Sequence, residues 1–135
     1  MFFEAAEKQF YLSHYEEAFA AFNAIAQNHH LSKYIRAEAY NMMGVIIAGC
    51  APYLSKNEDE SGLEYFQAAL NLDEKNLAAA LNILGGYRTS PTGHNNRESV
   101  ELACHLLEKN NWHDLSAEDR ELVVKNRKTL DLYDG

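Results

Sequence analysis

The stretch that decides the fold reads AEAYNMMGVIIAGC over residues 37–50 and SGLEYFQAALNLDEKN over residues 61–76. Tyr40, Met43, Gly44 and Ile47 fall at i, i+3, i+4 and i+7, one face of a helix of period 3.6. In the second half Gly62, Phe66 and Ala69 share a face, flanked by Leu63 and Leu70. Large residues alternate with Gly or Ala on both faces. Small residues let two helix axes approach, and large ones fill the space that remains. Two such helices joined by a short connection predict an antiparallel hairpin. A lone hairpin cannot cover its own apolar surface and needs neighbours.

A second copy lies downstream. AAALNILG at residues 78–85 repeats AEAYNMMG at residues 37–44, at an offset of 41. The shared positions are Ala37/Ala78, Ala39/Ala80, Asn41/Asn82 and Gly44/Gly85. Self-similarity at this period is the signature of a stacked helical array. Tyr40, Met43 with Gly44, Ile47, Gly62, Phe66 and Ala69, followed by AALNLD, resemble one tetratricopeptide repeat. The match departs from that family at Glu74, where proline is usual. Gly44 to Gly62 is eighteen residues where the family has twelve, so about six are inserted around Ala51 to Lys56.

The resemblance implies an all-α, superhelical stack of about three hairpins, spanning residues 2–28, 33–72 and 77–110, with a capping helix over 117–132. It implies one domain over residues 1–135 and a protein-binding role. Length and composition agree with this expectation. A chain of 135 residues can bury a core, and 47% apolar content excludes a disordered chain. Two prolines and few β-branched residues favour helix.

The net charge of −8 is unevenly spread. Up to Glu74 there are four Lys/Arg against eleven Asp/Glu, hence −7; the remainder holds eight against nine, hence −1. An acidic face argues against nucleic acid and permits a basic protein partner. It also serves simple solubility. Cys50 and Cys104 lack metal spacing and read as small buried hydrophobes in a reducing compartment. MFFEAAEK is not a signal peptide, since no basic region precedes an apolar run. The uncharged stretch Ala39 to Ser55 contains Asn41, two glycines and Pro52. It is shorter than the about 20 apolar residues of a span, so it reads as a buried helix. A cytoplasmic protein is expected.

In chain order, Phe3, Ala6 and Phe10 set the face of a first helix, Phe2 to Leu12. Ser13-His-Tyr-Glu16 fits a capping box for a second, with Ala18, Phe22 and Ile25 on its inner face. Ser32 is the expected N-cap of a third helix from Lys33 to about Ala48, ended by Gly49 and Pro52. Tyr53 to Asp59 reads as a loop, with Asn57 and Glu60 capping a fourth helix that ends near Leu72. A fifth runs from Leu77 to about Tyr87, then a loop from Thr89 to Asn96. Asn95 with Glu98 fits a cap for a sixth, Glu98 to Lys109, aligned with the repeat through Ser99, Ala103 and Leu106. Leu115 and Ser116 then open a seventh, Ala117 to about Leu132, with a narrow face of Leu122, Val123 and Leu130.

No enzyme motif stands out. A Gly-rich phosphate loop, a Gly-x-Ser-x-Gly elbow and His-Glu-x-x-His are all missing from the sequence. His29 with His30, and Cys104 with His105, are adjacent pairs. Neighbours on a helix point about 100° apart, which is poor for sharing a metal. Neither a metal nor a cofactor is expected.

In the resembling family the first helices of successive repeats line a concave groove. Carried over, the groove positions are Glu38, Asn41, Val45, Ala48 and Gly49 in the middle repeat, and Ala79, Asn82, Gly86 and Thr89 in the third. The first repeat offers Phe3, Glu7, Phe10 and Tyr11. Asn41 and Asn82 could bond an extended peptide backbone, or each could tether a neighbouring helix end. None of these positions is basic, which argues against capture of a peptide carboxylate. Three functions are therefore expected in turn: an adaptor or chaperone, of which acidic secretion chaperones are one form; an immunity protein neutralising a basic toxin domain; and an enzyme with a distributed site. The partner is a protein, as an extended segment or a basic folded domain. Self-association through Phe2, Phe3 or the Phe10–Tyr11 pair is a further route.

Overall fold

The structure is a computed structural model that describes residues 3–55, 61–86 and 96–132. The described residues form seven α-helices: α1 (Glu4–Tyr11), α2 (Tyr15–Ala26), α3 (Lys33–Val45), α4 (Leu63–Leu72), α5 (Leu77–Gly86), α6 (Arg97–Leu106) and α7 (Ala117–Leu132). They pack in sequence, neighbour on neighbour, within two compact units, Met1–Asn76 and Leu77–Gly135. The expected caps that rest on Asn57, Glu60 and Asn95, the end of the fifth helix at Tyr87 and the loop from Thr89 to Asn95 lie outside the described residues.

In the first unit α1 packs on α2, α2 on α3 and α3 on α4. Its core is small side chains around a few large ones: Ala6, Ala18, Phe22, Ala26, Ala39, Met43, Ile46 and Ala51. Phe22 is fully buried, a contribution of about 1.5–3 kcal/mol. The Phe3 ring lies 6.1 Å from it. Between α1 and α2 the chain turns through Ser13, whose φ is +63°. The Ser13 N–H donates to Phe10 O and the His14 N–H to Gln9 O, at 3.0 and 2.8 Å. This is a Schellman ending with serine in the left-handed position. Ser13 is therefore not the N-cap of α2; that place is taken by His14, without a side-chain cap bond. The serine closes α1 instead.

Ser32 caps α3 as expected, its hydroxyl accepting from the Ile35 N–H at 3.3 Å. Arg36 Nε donates to Ala26 O at 2.8 Å, so α3 supplies a cation to the C-terminal carbonyls of α2. The regular helix ends at Val45, three residues before Ala48. Ile46–Cys50 then forms a wide π turn, in which the Ala51 N–H reaches Ile46 O at 2.7 Å, and Pro52–Leu54 forms a 3-10 turn. Gly62, with φ +93°, precedes α4. That conformation favours glycine. Helices α3 and α4 run in opposite directions: Gly44 meets Phe66, and Glu38 meets Asn76 beyond the end of α4.

In the second unit α5, α6 and α7 pack on one another around Ile83, Leu84, Val100, Cys104, Leu107 and Val123. Helix α6 ends at Leu106, not Lys109, and leaves through a π turn (Leu107–Asn111) and a 3-10 turn (Trp112–Asp114). The exits of α3 and α6 thus share one backbone pattern. Ser116 caps α7 at 3.1 Å through the Asp119 N–H. The buried residues of α7 are Val123, Asn126 and Leu130; Leu122, expected on that face, is half-buried. Asn126 tolerates burial because its amide donates to Leu122 O at 2.8 Å.

Candidate functional site

The carried-over groove positions fall into different settings. Phe3 and Phe10 are half-buried and pack against the first unit's core. Glu7 and Ala48 are exposed, Val45 and Asn82 are half-buried, and Tyr11 is 78% exposed. Ala79 is buried, while Gly49 and Gly86 are exposed; Thr89 lies outside the described residues. Asn41 is only 3% exposed. Its amide donates to Glu38 Oε1 at 3.4 Å, and the Asn76 amide donates to Glu38 Oε2 at 3.2 Å. One carboxylate thus draws together α3 and the segment after α4. Asn41 bonds within its own helix, and the link to the segment after α4 runs from Glu38 to Asn76.

Gly44 and Gly85, equivalent in the sequence repeat, are not equivalent in packing. A Cβ on Gly44 would stand 2.6 Å from Phe66 Cε1. A Cβ on Gly85 would meet no described atom within 4 Å. The residue that aligns with Phe66 is Ala103, which has no ring to offer. Ser99, Ala103 and Leu106 are all buried, so the aligned face of α6 is an inner one.

The second unit carries a shallow, open depression of about 330 Å³ lined by Glu98, Glu101, Leu102, His105 and Arg127. Four of these lie on α6 at i, i+3, i+4 and i+7, a periodicity the sequence contains and that marks an outward face. Arg127 is held at its edge by Glu108, at 2.6 Å. That hydrogen bond pushes the guanidinium pKa further up. Beneath it, burial pushes the Cys104 thiol from 9.0 up to about 11; Arg127 opposes the shift, and Glu108 and Glu101 add to it. A thiol in that state is a packing group rather than a nucleophile. Among the described residues no three His, Cys, Asp or Glu side chains are placed to hold a metal ion.

A further feature, which the periodicity does not announce, is a clamp at the entrance to α7. Arg120 Nε donates to Trp112 O at 2.9 Å and Nη2 to His113 O at 3.1 Å. The guanidinium carbon also stands 5.6 Å from the Trp112 ring centre. Arg97 reaches Leu130 O at 3.3 Å, tying the start of α6 to the last turn of α7. These are structural cations, satisfied within their own unit.

The first unit presents three tyrosines to solvent: Tyr11 at 78%, Tyr34 at 69% and Tyr53 at 75% exposure. Isolated exposed aromatics are ordinary, but tyrosine is among the side chains enriched in protein contacts, since it combines a rigid apolar body with a polar tip. Among the described residues no helix is long and apolar enough to cross a membrane. No family model, curated protein or solved structure matches the chain.

Proposed function

We propose that the chain is a tetratricopeptide-like helical module that binds a segment of another protein, as an adaptor or chaperone, without catalysing a reaction. The observation that carries this reading is the trio Tyr11, Tyr34 and Tyr53, exposed on the acidic first unit. Large aromatic surface left in water on an ordered helical frame is low-entropy contact area for a partner. The close approach of Gly44 to Phe66 supports the repeat-like part, because both are among the residues that carry the family resemblance. The free thiols Cys50 and Cys104 support a role in the cytoplasm.

The test is capture of partners by the purified chain from lysate, in parallel with a variant carrying Tyr11→Ala, Tyr34→Ala and Tyr53→Ala. A partner retained by the first and lost by the second supports the reading. Equal recovery by both removes its main support.

A second reading, an immunity-type blocker of a basic domain, is favoured by the charge of −7 up to Glu74. It requires one stoichiometric basic partner whose association rate falls steeply with salt. An adaptor should instead hold extended segments more weakly.

A further inference from the structure

A side chain of α3 holds the segment that joins the two units. Helix α4 ends at Leu72 and α5 begins at Leu77. The boundary between the units falls between Asn76 and Leu77. The four residues 73–76 form a tight turn. The Asn76 N–H donates to Asp73 O at 3.0 Å, and the Lys75 N–H donates to the Asp73 carboxylate at 3.1 Å. Bonds of this kind, between an aspartate and the backbone just after it, are local and individually modest.

The Asn76 side chain reaches further. Its amide donates to Glu38 Oε2 on α3 at 3.2 Å, across 38 positions of sequence. An amide bonded to an ionised carboxylate makes a stronger hydrogen bond than two neutral groups do. Asn76 is 6% exposed although Glu74 and Lys75 beside it are exposed. The connector is thus a surface turn with its last residue drawn inward. Glu38 itself is half-buried, so its carboxylate stays within reach of solvent.

We propose that Glu38 is a latch on this connector. While its bond to Asn76 is made, the chain leaves the first unit through a fixed turn. When the bond is broken, residues 73–76 become a hinge. Hinges are a few residues at element ends that absorb changes in φ and ψ, and these four follow the last turn of α4 and precede the first turn of α5. The latch residue lies on α3 and not in the connector. Any group that competes for the Glu38 carboxylate therefore loosens the connector without touching it.

The connector carries its own reporter. Lys75 is exposed, and the peptide bond after it leads into Asn76. Trypsin acts on locally opened chain, so cleavage after Lys75 reports opening of this turn. Its products, residues 1–75 and 76–135, are identified by mass. The test is limited trypsin digestion of the whole chain, with initial rates read at Lys75, Lys33 and Lys128. Glu38→Ala should raise the rate after Lys75 about tenfold over the parent, the effect of losing one charge-assisted hydrogen bond. Glu38→Gln, which keeps one acceptor oxygen, should raise it less. Rates after Lys33 and Lys128 should stay level. Gly44→Ala strains the same unit at Phe66 and leaves the latch atoms in place. It should change the rate after Lys75 by less than about twofold. An unchanged rate after Lys75 in Glu38→Ala would overturn the latch. So would a rise shared equally by Lys33 and Lys128, or an equal rise in Gly44→Ala, since either would mean that the connector follows the general stability of the chain.

Discussion

Gly44 and Phe66 are in a contact that only a hydrogen at the Cα of residue 44 permits. Three atoms of the Phe66 ring stand 2.6–2.9 Å from the place a Cβ would occupy. Phe66 is 2% exposed, so its ring has no open space to retreat into. Gly44→Ala should therefore cost about 1–3 kcal/mol by overpacking, despite the gain in helix propensity. Gly85→Ala is the control. It is exposed in α5, meets no described atom, and should be neutral or stabilise by up to about 1 kcal/mol. The urea midpoint should fall for Gly44→Ala and stay level or rise for Gly85→Ala, each compared with the parent.

Ser13 gives a second contrast between helix ends. Its φ of +63° is costly for any residue with a Cβ. Ser13→Gly should keep both Schellman hydrogen bonds and stabilise by about 0.5–1 kcal/mol. Ser13→Ala leaves the strain in place and should gain nothing. If the serine were an N-cap for α2, glycine and alanine would both destabilise, so the sign of the Ser13→Gly effect separates the two roles.

These two sites show what periodicity reads well and what it reads poorly. The helices, the Ser32 and Ser116 caps and the span of α7 are legible, because a 3.6-residue apolar pattern and a serine three residues before a free N–H are local signals. Ser13 misleads because the pattern Ser-x-x-Glu also occurs where a left-handed residue stops one helix just before the next begins. Only the backbone bonds to Gln9 and Phe10 tell the two cases apart. The π exits at Ile46–Cys50 and Leu107–Asn111 escape notice, since side-chain periodicity runs on while the hydrogen-bond spacing widens. Of the candidate site, Asn41 stands out through its repeat with Asn82, but the Asn76 that shares its carboxylate lies 35 positions away and carries no local signal.

The Glu38 carboxylate should behave as a joint. Each of its oxygens accepts from one asparagine amide, at 3.4 Å from Asn41 and 3.2 Å from Asn76. Glu38→Ala removes the acceptor from two buried amides together and should cost about 1–3 kcal/mol. Asn76→Ala in the Glu38→Ala background should then cost less than it does alone. A double-mutant cycle by denaturant melts measures this coupling, and additivity of the two changes would show the joint to be idle.

Cys104 makes stability depend on alkaline pH. Unfolded, the thiol titrates near 9.0; folded, burial holds its pKa up to about 11. Above pH 9.0 the unfolded chain releases this proton more readily than the folded one, so raising the pH favours unfolding. The contribution is intact below pH 9.0 and is lost as the pH climbs toward about 11. Cys104→Ala should lower stability at pH 7 by opening a small cavity, yet flatten the decline between about pH 9 and 10.5 relative to the parent. The same burial predicts labelling order. At pH 8 about one in a thousand Cys104 thiols is ionised, whereas Cys50 is half-buried at the exit of α3. A thiol reagent should therefore modify Cys50 first in the native protein and reach Cys104 only as the second unit opens. Equal rates at the two cysteines would mean that the α6–α7 packing is open to solvent on the labelling timescale.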